Sequence, residues 1–247
     1  LKNNMNTIVT FYTISNQYSL SESAIESIKF ACERWNCEHI HITDKLQPND
    51  FCDMFTKLYL PLHTLNYKRC LYLDTDMFIK WDAPNPFEIF DDPESIYVVR
   101  DLPQEDVDES YKLQFKDNQL CGPWYEQCKK TLQYDVPYDI YRDWFFNAGM
   151  FMYTPEYHIH IFKYILDKLN KVDVNYRGIP QIEQALLNYA FRYHLNNKLK
   201  YVNKTWNYMD PPLHKETMEG YIYHFTGLNY SNLKPHLNTF YKWKQRI

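Results

Sequence analysis

The sequence predicts an α/β fold built on a mostly parallel sheet with crossover helices, and three observations carry that prediction. Apolar strand patterns alternate with helix patterns over the first 73 residues, which is the signature of parallel strands joined by helices. The third strand, Cys70-Leu71-Tyr72-Leu73, runs straight into Asp74-Thr75-Asp76. In such sheets ligands bind beyond the carboxyl ends of the strands, where these two aspartates fall.

Taken in order, Thr7 to Tyr12 reads as a buried strand, Asn16 to Leu20 as a turn, and Ser21 with Glu22 as the start of a helix ending near Trp35. His39-Ile40-His41-Ile42 alternates as a second strand. A helix is expected from about Asp53 to Leu65, kinked at Pro61. Asp101 to Tyr141 has little periodicity and is expected to be irregular over the active face. Phe145 to Tyr153 reads as a strand, Pro155 to about Leu169 and Pro180 to Tyr193 as helices, and Tyr221 to Phe225 as a short strand. Without an internal repeat or linker, residues 1–247 read as one domain, with residues 1–4 before Met5 as a cloning remnant.

The 45% hydrophobic and 23% charged shares are those of a globular protein rather than a disordered one. A net charge of −4 without a basic run disfavours nucleic-acid binding, whereas a small anionic ligand needs only a few local cations. Aromatic content is high at 18%, which suits sugar or base stacking as well as ordinary cores. The six cysteines (32, 37, 52, 70, 121, 128) form no CxxC pair and read as packed thiols rather than zinc ligands or disulfides. No apolar run approaches transmembrane length and nothing resembles a signal peptide, so a soluble, cytoplasmic protein is expected.

Asp-x-Asp alone is a weak signal, and a second copy, Asp106-Val107-Asp108, lies in a polar stretch without strand context. Asp74 and Asp76 differ because a strand leads in and Met77-Phe78-Ile79 leads out. Carboxylates this close repel each other unless a cation lies between them. A hard divalent ion held there can bind substrate phosphates and stabilise charge on a departing nucleotide. Dehalogenase-type phosphatases also place Asp-x-Asp after an apolar strand. Their pattern expects Thr or Val where this chain has Phe78, which disfavours that class.

Several segments together resemble glycosyltransferase family 8, the group containing glycogenin and bacterial galactosyltransferases. Phe55-Thr56-Lys57-Leu58 followed by Tyr67 through Asp76 looks like the family's Lys-Leu helix and Asp-x-Asp strand. Phe146-Asn147-Ala148-Gly149 is similar to its Phe-Asn-Ser/Ala-Gly strand, and Glu183-Gln184-Ala185-Leu186-Leu187-Asn188 to its Asp-Gln-x-x-Leu-Asn helix start. His224-Phe225-Thr226-Gly227 with Lys234-Pro235 resembles its closing motif.

The resemblance implies a GT-A fold, a single Rossmann-like domain with a mixed, mostly parallel sheet flanked by helices. It further implies a retaining, metal-dependent hexosyltransferase using a UDP-sugar, with glucose preferred. Asp74, Asp76 and His224 would be the metal ligands, and an imidazole beside two carboxylates suits Mn²⁺, with Mg²⁺ as the second choice. Phe11, Tyr12, Thr13 and Tyr18 would edge the nucleoside. Lys57, Asp74, Thr75, Asn147, Ala148, Gly227 and Lys234 would complete the donor site. Glu183, Gln184 and Asp76 are the candidate catalytic residues.

Three departures stand out. Glu183 replaces the family's Asp, six residues separate Gly227 from Lys234 where a shorter spacer is usual, and His236 stands in place of Trp. The expected partners are the donor and a glycan, protein or small-molecule acceptor, with a homodimer in keeping with related proteins. The non-enzymatic alternative is a sugar-nucleotide or glycan-binding module on the same scaffold. The intact Asp74, Asp76, His224 and Lys234 set argues against it.

Overall fold

The computed structural model describes residues 5–11, 18–101, 123–134, 145–179, 182–209 and 220–225; the side chains of residues 18–23 and 123–125 are not among those described. The strands are β1 (Thr7–Phe11), β2 (Glu38–Ile42), β3 (Cys70–Leu73), β4 (Met77–Ile79), β5 (Ile96–Arg100), β6 (Phe146–Tyr153), β7 (Leu199–Val202), β8 (Tyr208–Met209) and β9 (Ile222–His224). The helices are α1 (Tyr18–Trp35), α2 (Thr56–Tyr59), α3 (Pro86–Ile89), α4 (Pro123–Leu132), α5 (Pro155–Lys168), α6 (Val174–Arg177) and α7 (Ile182–Leu195).

The central sheet has the order β2-β1-β3-β6-β5-β7. Its β1–β2, β1–β3 and β5–β7 pairs are parallel, and only β6 runs against its neighbours. This is the mixed, mostly parallel α/β sheet that the strand and helix alternation predicts.

Both faces of the sheet are covered, and the period of two along each strand sorts side chains between two cores. Val9, Tyr72, Phe151 and Tyr153 face α4, α5 and α7 in one cluster. Ile8, Leu71, Leu73, Met150 and Met152 face α1, α3 and β4 in the other. Phe151 is 1% exposed and Leu71 fully buried. Truncating such a phenylalanine to alanine costs about 3–5 kcal/mol.

The structure departs from the sequence expectations in several elements. The helix expected over 53–65 is one α turn, α2, between 3₁₀ turns at Asp53–Phe55 and Leu60–His63. Pro61 has no N–H to continue the α pattern, and the segment tightens around it. Helix α1 begins at Tyr18 rather than Ser21, since Leu20 stands at helical spacing from Ala24 and Ile28. Helix α4 lies within the stretch expected to be irregular, its many polar residues having hidden the pattern. Strands β4, β5, β7 and β8 and the one-turn helices α3 and α6 were not anticipated; β7 and β8 have only four and two residues.

A second sheet of order β4-β9-β8 positions the site. It pairs Met77 with His224 in antiparallel register, and the Phe225 amide donates to the Asp76 carbonyl at 3.2 Å. Residues almost 150 positions apart thus become neighbours through three short strands. The five described cysteines are free thiols, with Cys32, Cys70 and Cys128 buried and Cys37 and Cys52 half-buried. No described helix is long and apolar enough to cross a membrane.

One buried histidine ties stability to pH. His158 Nδ1 accepts from the Thr154 amide at 2.9 Å, Nε2 donates to the Glu94 carbonyl at 3.0 Å, and burial lowers its pKa to about 4. The unfolded chain takes up this proton below about pH 6.5 and the folded chain resists it. The contribution is therefore complete above that value and is lost as pH falls toward 4. Denaturant unfolding between pH 7 and 4 is expected to show a loss of about 3 kcal/mol attributable to His158. In the His158→Gln variant that part of the slope should disappear, alongside lower stability at pH 7.

Candidate active site

The site lies where β3 ends, β6 begins and β9 reaches across. Its deepest element is Lys57, carried by α2 beneath the Asp-Thr-Asp turn and only 2% exposed. The ammonium has three N–H donors, and three oxygens surround Nζ: Glu183 Oε1 at 3.1 Å, Asp74 Oδ1 at 3.4 Å and the Ala148 carbonyl at 3.4 Å. Burial by itself would lower the Lys57 pKa, but Asp74 and Glu183 outweigh it and the group is held above its ordinary value. Glu183, 3% exposed, is held above the ordinary carboxylate range, because burial raises it and Lys57 offsets this only in part. Its Oε2 is buried without a hydrogen-bond partner among the described residues.

Asp74 is fixed from several sides. Its amide donates to the Gly149 carbonyl at 2.9 Å, and the Tyr72 hydroxyl donates to Oδ1. Burial, reinforced by Asp74, keeps that hydroxyl well above its ordinary pKa, so it stays protonated as a donor.

His224 is held by a directional chain of amides. Asn147 Oδ1 accepts from the Gly149 amide at 2.8 Å and from Asn207 Nδ2 at 3.1 Å, while Asn147 Nδ2 donates to Asp101 Oδ1 at 2.9 Å. With Asn207 Nδ2 committed as donor, its Oδ1 faces His224 Nδ1 at 3.0 Å and must accept from it. The proton therefore sits on Nδ1, and Nε2 points at the carboxylates, 3.3 Å from Asp76 Oδ1 and 4.0 Å from Asp74 Oδ2. Burial would lower the His224 pKa, but Asp76 and Asp74 raise it above the ordinary value overall.

One donor atom each from Asp74, Asp76 and His224 lies within 4.8 Å of the others. Asp76 Oδ1 is also buried without a hydrogen-bond partner among the described residues. Two carboxylate oxygens and an imidazole nitrogen whose far side is locked to an amide form a donor set that fits a divalent metal ion.

The other sequence-predicted residues fall as follows. Gln184 Oε1 accepts from the Ala148 amide at 2.9 Å, and the Ala148 side chain is fully buried. Phe11 is 3% exposed and stacks on Tyr72 at a centroid distance of 6.2 Å. Thr75 is half-buried between the two aspartates. Tyr12, Thr13, Gly227, Lys234 and His236 lie outside the described residues, as does the side chain of Tyr18.

Sequence reasoning missed Tyr72, Asp101 and Asn207. The first two carried a usable signal: Tyr72 lies two residues before Asp74, and Asp101 follows the apolar strand β5 as Asp74 follows β3. Burial raises the Asp101 pKa, with Asn147, His224 and Gln184 opposing. Nothing local marks Asn207.

Gly149 is the tightest point of the arrangement. A Cβ there would stand 2.4 Å from His224 Cε1, 2.7 Å from Asn147 Oδ1 and 3.0 Å from Asp74 Oδ2. Real Cβ contacts are not that short, so Gly149→Ala must displace the histidine or the amide chain. The variant is expected to lose about 1–3 kcal/mol in thermal unfolding, the usual range for overpacking, and to hold a divalent ion at least tenfold more weakly by calorimetry.

By sequence, no curated protein matches the chain. By structure, it is similar to a glycosyltransferase involved in glycosylation of the major capsid of PBCV-1, with 11% identity, covering 95% of this chain and 99% of that one at a TM-score of 0.63. It is also similar to the galactosyltransferase LgtC in complex with donor and acceptor sugar analogs (13% identity, 90% and 87% covered, TM-score 0.50). A third similar structure is the glycosyltransferase GlyE of Streptococcus pneumoniae TIGR4 (14% identity, 91% of this chain and 55% of that one, TM-score 0.51). At these identities the likeness is one of fold. The family model for glycosyl transferase family 8 matches residues 5–235, and the chain belongs to that family.

Proposed function

We propose that the chain is a retaining hexosyltransferase that takes a UDP-sugar, with UDP-glucose preferred, and depends on Mn²⁺. The family match over residues 5–235 is also the ground for reading the chain as a single glycosyltransferase domain. The observation that carries the proposal is the juxtaposition of the Asp74, Asp76 and His224 donor set with the buried Lys57–Glu183 pair at the carboxyl end of the sheet. The LgtC structure, similar in fold, holds donor and acceptor sugar analogs, which fits a sugar-transfer role for this architecture.

In this reading Asp74, Asp76 and His224 hold the metal, and a divalent ion bound there would supply Lewis-acid neutralisation of the donor diphosphate. Asn207 fixes the His224 tautomer, so that Nε2 offers its lone pair. Lys57 has its donors engaged by protein oxygens; it acts by holding Asp74 and Glu183 in place rather than by reaching a phosphate. Lys234, as a second cation, and Gly227 are assigned to the diphosphate from the family's closing motif alone. Phe11, Tyr12, Thr13 and Tyr18 are assigned to the nucleoside on the same basis.

Glu183 is the only carboxylate we nominate near the anomeric carbon. With Oε1 bound to Lys57 and the side chain 3% exposed, it suits a positioning role better than that of a nucleophile. Gln184 braces Ala148 and, through it, the start of β6. We therefore assign retention to attack by the acceptor hydroxyl on the face from which UDP departs, through an oxocarbenium-like ion pair.

UDP release with Mn²⁺ across a panel of UDP-sugars, with and without EDTA, tests the proposal. Chelator-sensitive release from one donor is the expected result. Calorimetric binding without release from any donor would favour the binding module instead. The Asp76→Ala variant should lose at least a thousandfold in turnover, and wild-type turnover in it would remove the metal assignment. Lys57→Met should fall by a comparable factor, because it leaves the buried Glu183 and the half-buried Asp74 without their cation. An inverted linkage in the product, read by NMR, would overturn the stereochemical assignment.

A further inference from the structure

Two of the free thiols, Cys32 and Cys37, meet at the end of α1, in a part of the fold that the donor-site chemistry does not use. Helix α1 stops because Asn36 takes up a left-handed backbone conformation, with φ of 50°, which asparagine tolerates better than most residues. The Cys37 amide then donates back to the Cys32 carbonyl at 3.0 Å, the six-to-one bond of a left-handed helix cap. In such caps the residues at the two ends of that bond commonly touch as an apolar pair. Here both ends are cysteine.

That one backbone bond limits the distance between the two residues. A Cα atom lies about 2.4 Å from its own carbonyl oxygen and about 1.5 Å from its amide nitrogen. With 3.0 Å between oxygen and nitrogen, the Cα atoms of Cys32 and Cys37 are no more than about 6.9 Å apart. A disulfide closes up to about that separation and not beyond about 7 Å. The side chains converge as well, since the Cys32 thiol is in hydrogen-bond contact with that of Cys37 and 3.5 Å from the Glu38 carbonyl. Burial divides their roles. Cys32 is 6% exposed and Cys37 half-buried, so Cys37 is the sulfur that a reagent in solution reaches first. The Cys32 thiol is held well above the usual thiol range, first by its hydrogen bond to Cys37 and then by burial, so it keeps its proton until Cys37 has reacted.

A covalent bond at this cap would act on more than the cap. Cys37 leads into β2, the edge strand of the central sheet. The residues just before it tie α1 to the chain leaving β4: Arg34 Nη2 donates to the Ala83 carbonyl at 3.0 Å, and Trp35 Nε1 to the same carbonyl at 3.3 Å. Nearer the middle of α1, Ser27 Oγ accepts from the Ile79 amide at 3.1 Å. The second half of α1 thus braces β4, the strand that pairs Met77 with His224.

We propose that Cys32 and Cys37 form a thiol-modification site, which a small disulfide of the glutathione class converts into an intramolecular disulfide bond. The Cys37 sulfur, as thiolate, attacks one sulfur of the reagent; the reagent's S–S bond breaks, and the departing thiolate takes up the proton that Cys37 released. The Cys32 sulfur then attacks the Cys37 sulfur of the mixed disulfide, loses its proton and expels the second thiol. Two protein thiols are oxidised to one disulfide, and the reagent is reduced by the same two electrons to two thiols. The new bond closes a loop of six residues, 32–37, and stiffens the brace behind β4. An excess of external thiol reverses it.

Trypsin cuts after Lys29, Arg34 and Lys45, so this disulfide joins two separate peptides, 30–34 and 35–45. The test incubates the full chain with oxidised glutathione, alkylates the remaining thiols, and reads the digest by mass spectrometry before and after dithiothreitol. The joined peptides are expected in the wild type and should vanish after dithiothreitol. The oxidised wild type should unfold about 4–8 °C above the reduced protein. Cys37→Ser under the same treatment should show neither the joined peptides nor the shift, which removes any contribution from the other cysteines. Cys32→Ser should instead keep glutathione on Cys37, and it supplies the control if Cys37→Ser fails to fold. Three results in the wild type would overturn the proposal: alkylation of both Cys32 and Cys37, glutathione retained on Cys37 with Cys32 alkylated, or joined peptides without a rise in unfolding temperature.

Discussion

The buried ammonium of Lys57 is the interaction on which the rest of the site depends. Two carboxylates from distant parts of the chain, Asp74 and Glu183, converge on it. A buried cation without partners, or a buried carboxylate pair without a cation, would cost several kcal/mol. The one-turn helix α2, the end of β3 and the start of α7 are therefore bound to a common point by electrostatics as well as packing. That constraint fixes where Asp74 stands, and Asp74 is shared with the set of side chains that could hold a metal.

Around that point the site divides into two halves that meet at Gly149. On one side Lys57, Glu183, Tyr72 and Asp74 form a charged cluster. On the other, Asp101, Asn147, Asn207 and His224 form a directional chain that sets the imidazole tautomer. Gly149 donates its amide to Asn147 and its carbonyl accepts from Asp74, so the backbone of β6 links the halves. The fit leaves no room for a Cβ. The residual negative charge of Asp74 and Asp76 is then directed toward the place where a divalent cation and a diphosphate would meet.

Much of this was legible in the sequence because its signals are local. The acid turn after Cys70–Leu73, the Phe146–Gly149 run and the Glu183-Gln184 pair each carry their motif within a few consecutive residues. The α/β class followed from periodicity alone. What was not legible depends on tertiary pairing. Asn207 gains its role only because β8 and β9 bring it beside His224, and two-residue strands leave no periodicity to read. Lys57 was read as reaching toward the donor. Its burial and its three protein oxygens emerge only when β6 and α7 close over α2. Helix α4 escaped because its polar composition resembles that of a loop.

If Asp74, Asp76 and His224 form a metal site, the donor nucleotide should bind through it. Calorimetric titration of UDP into the wild-type protein, once with saturating Mn²⁺ and once with EDTA, tests it most directly. Binding at least tenfold tighter with the metal is the expected result. Equal affinity in the two titrations would contradict it.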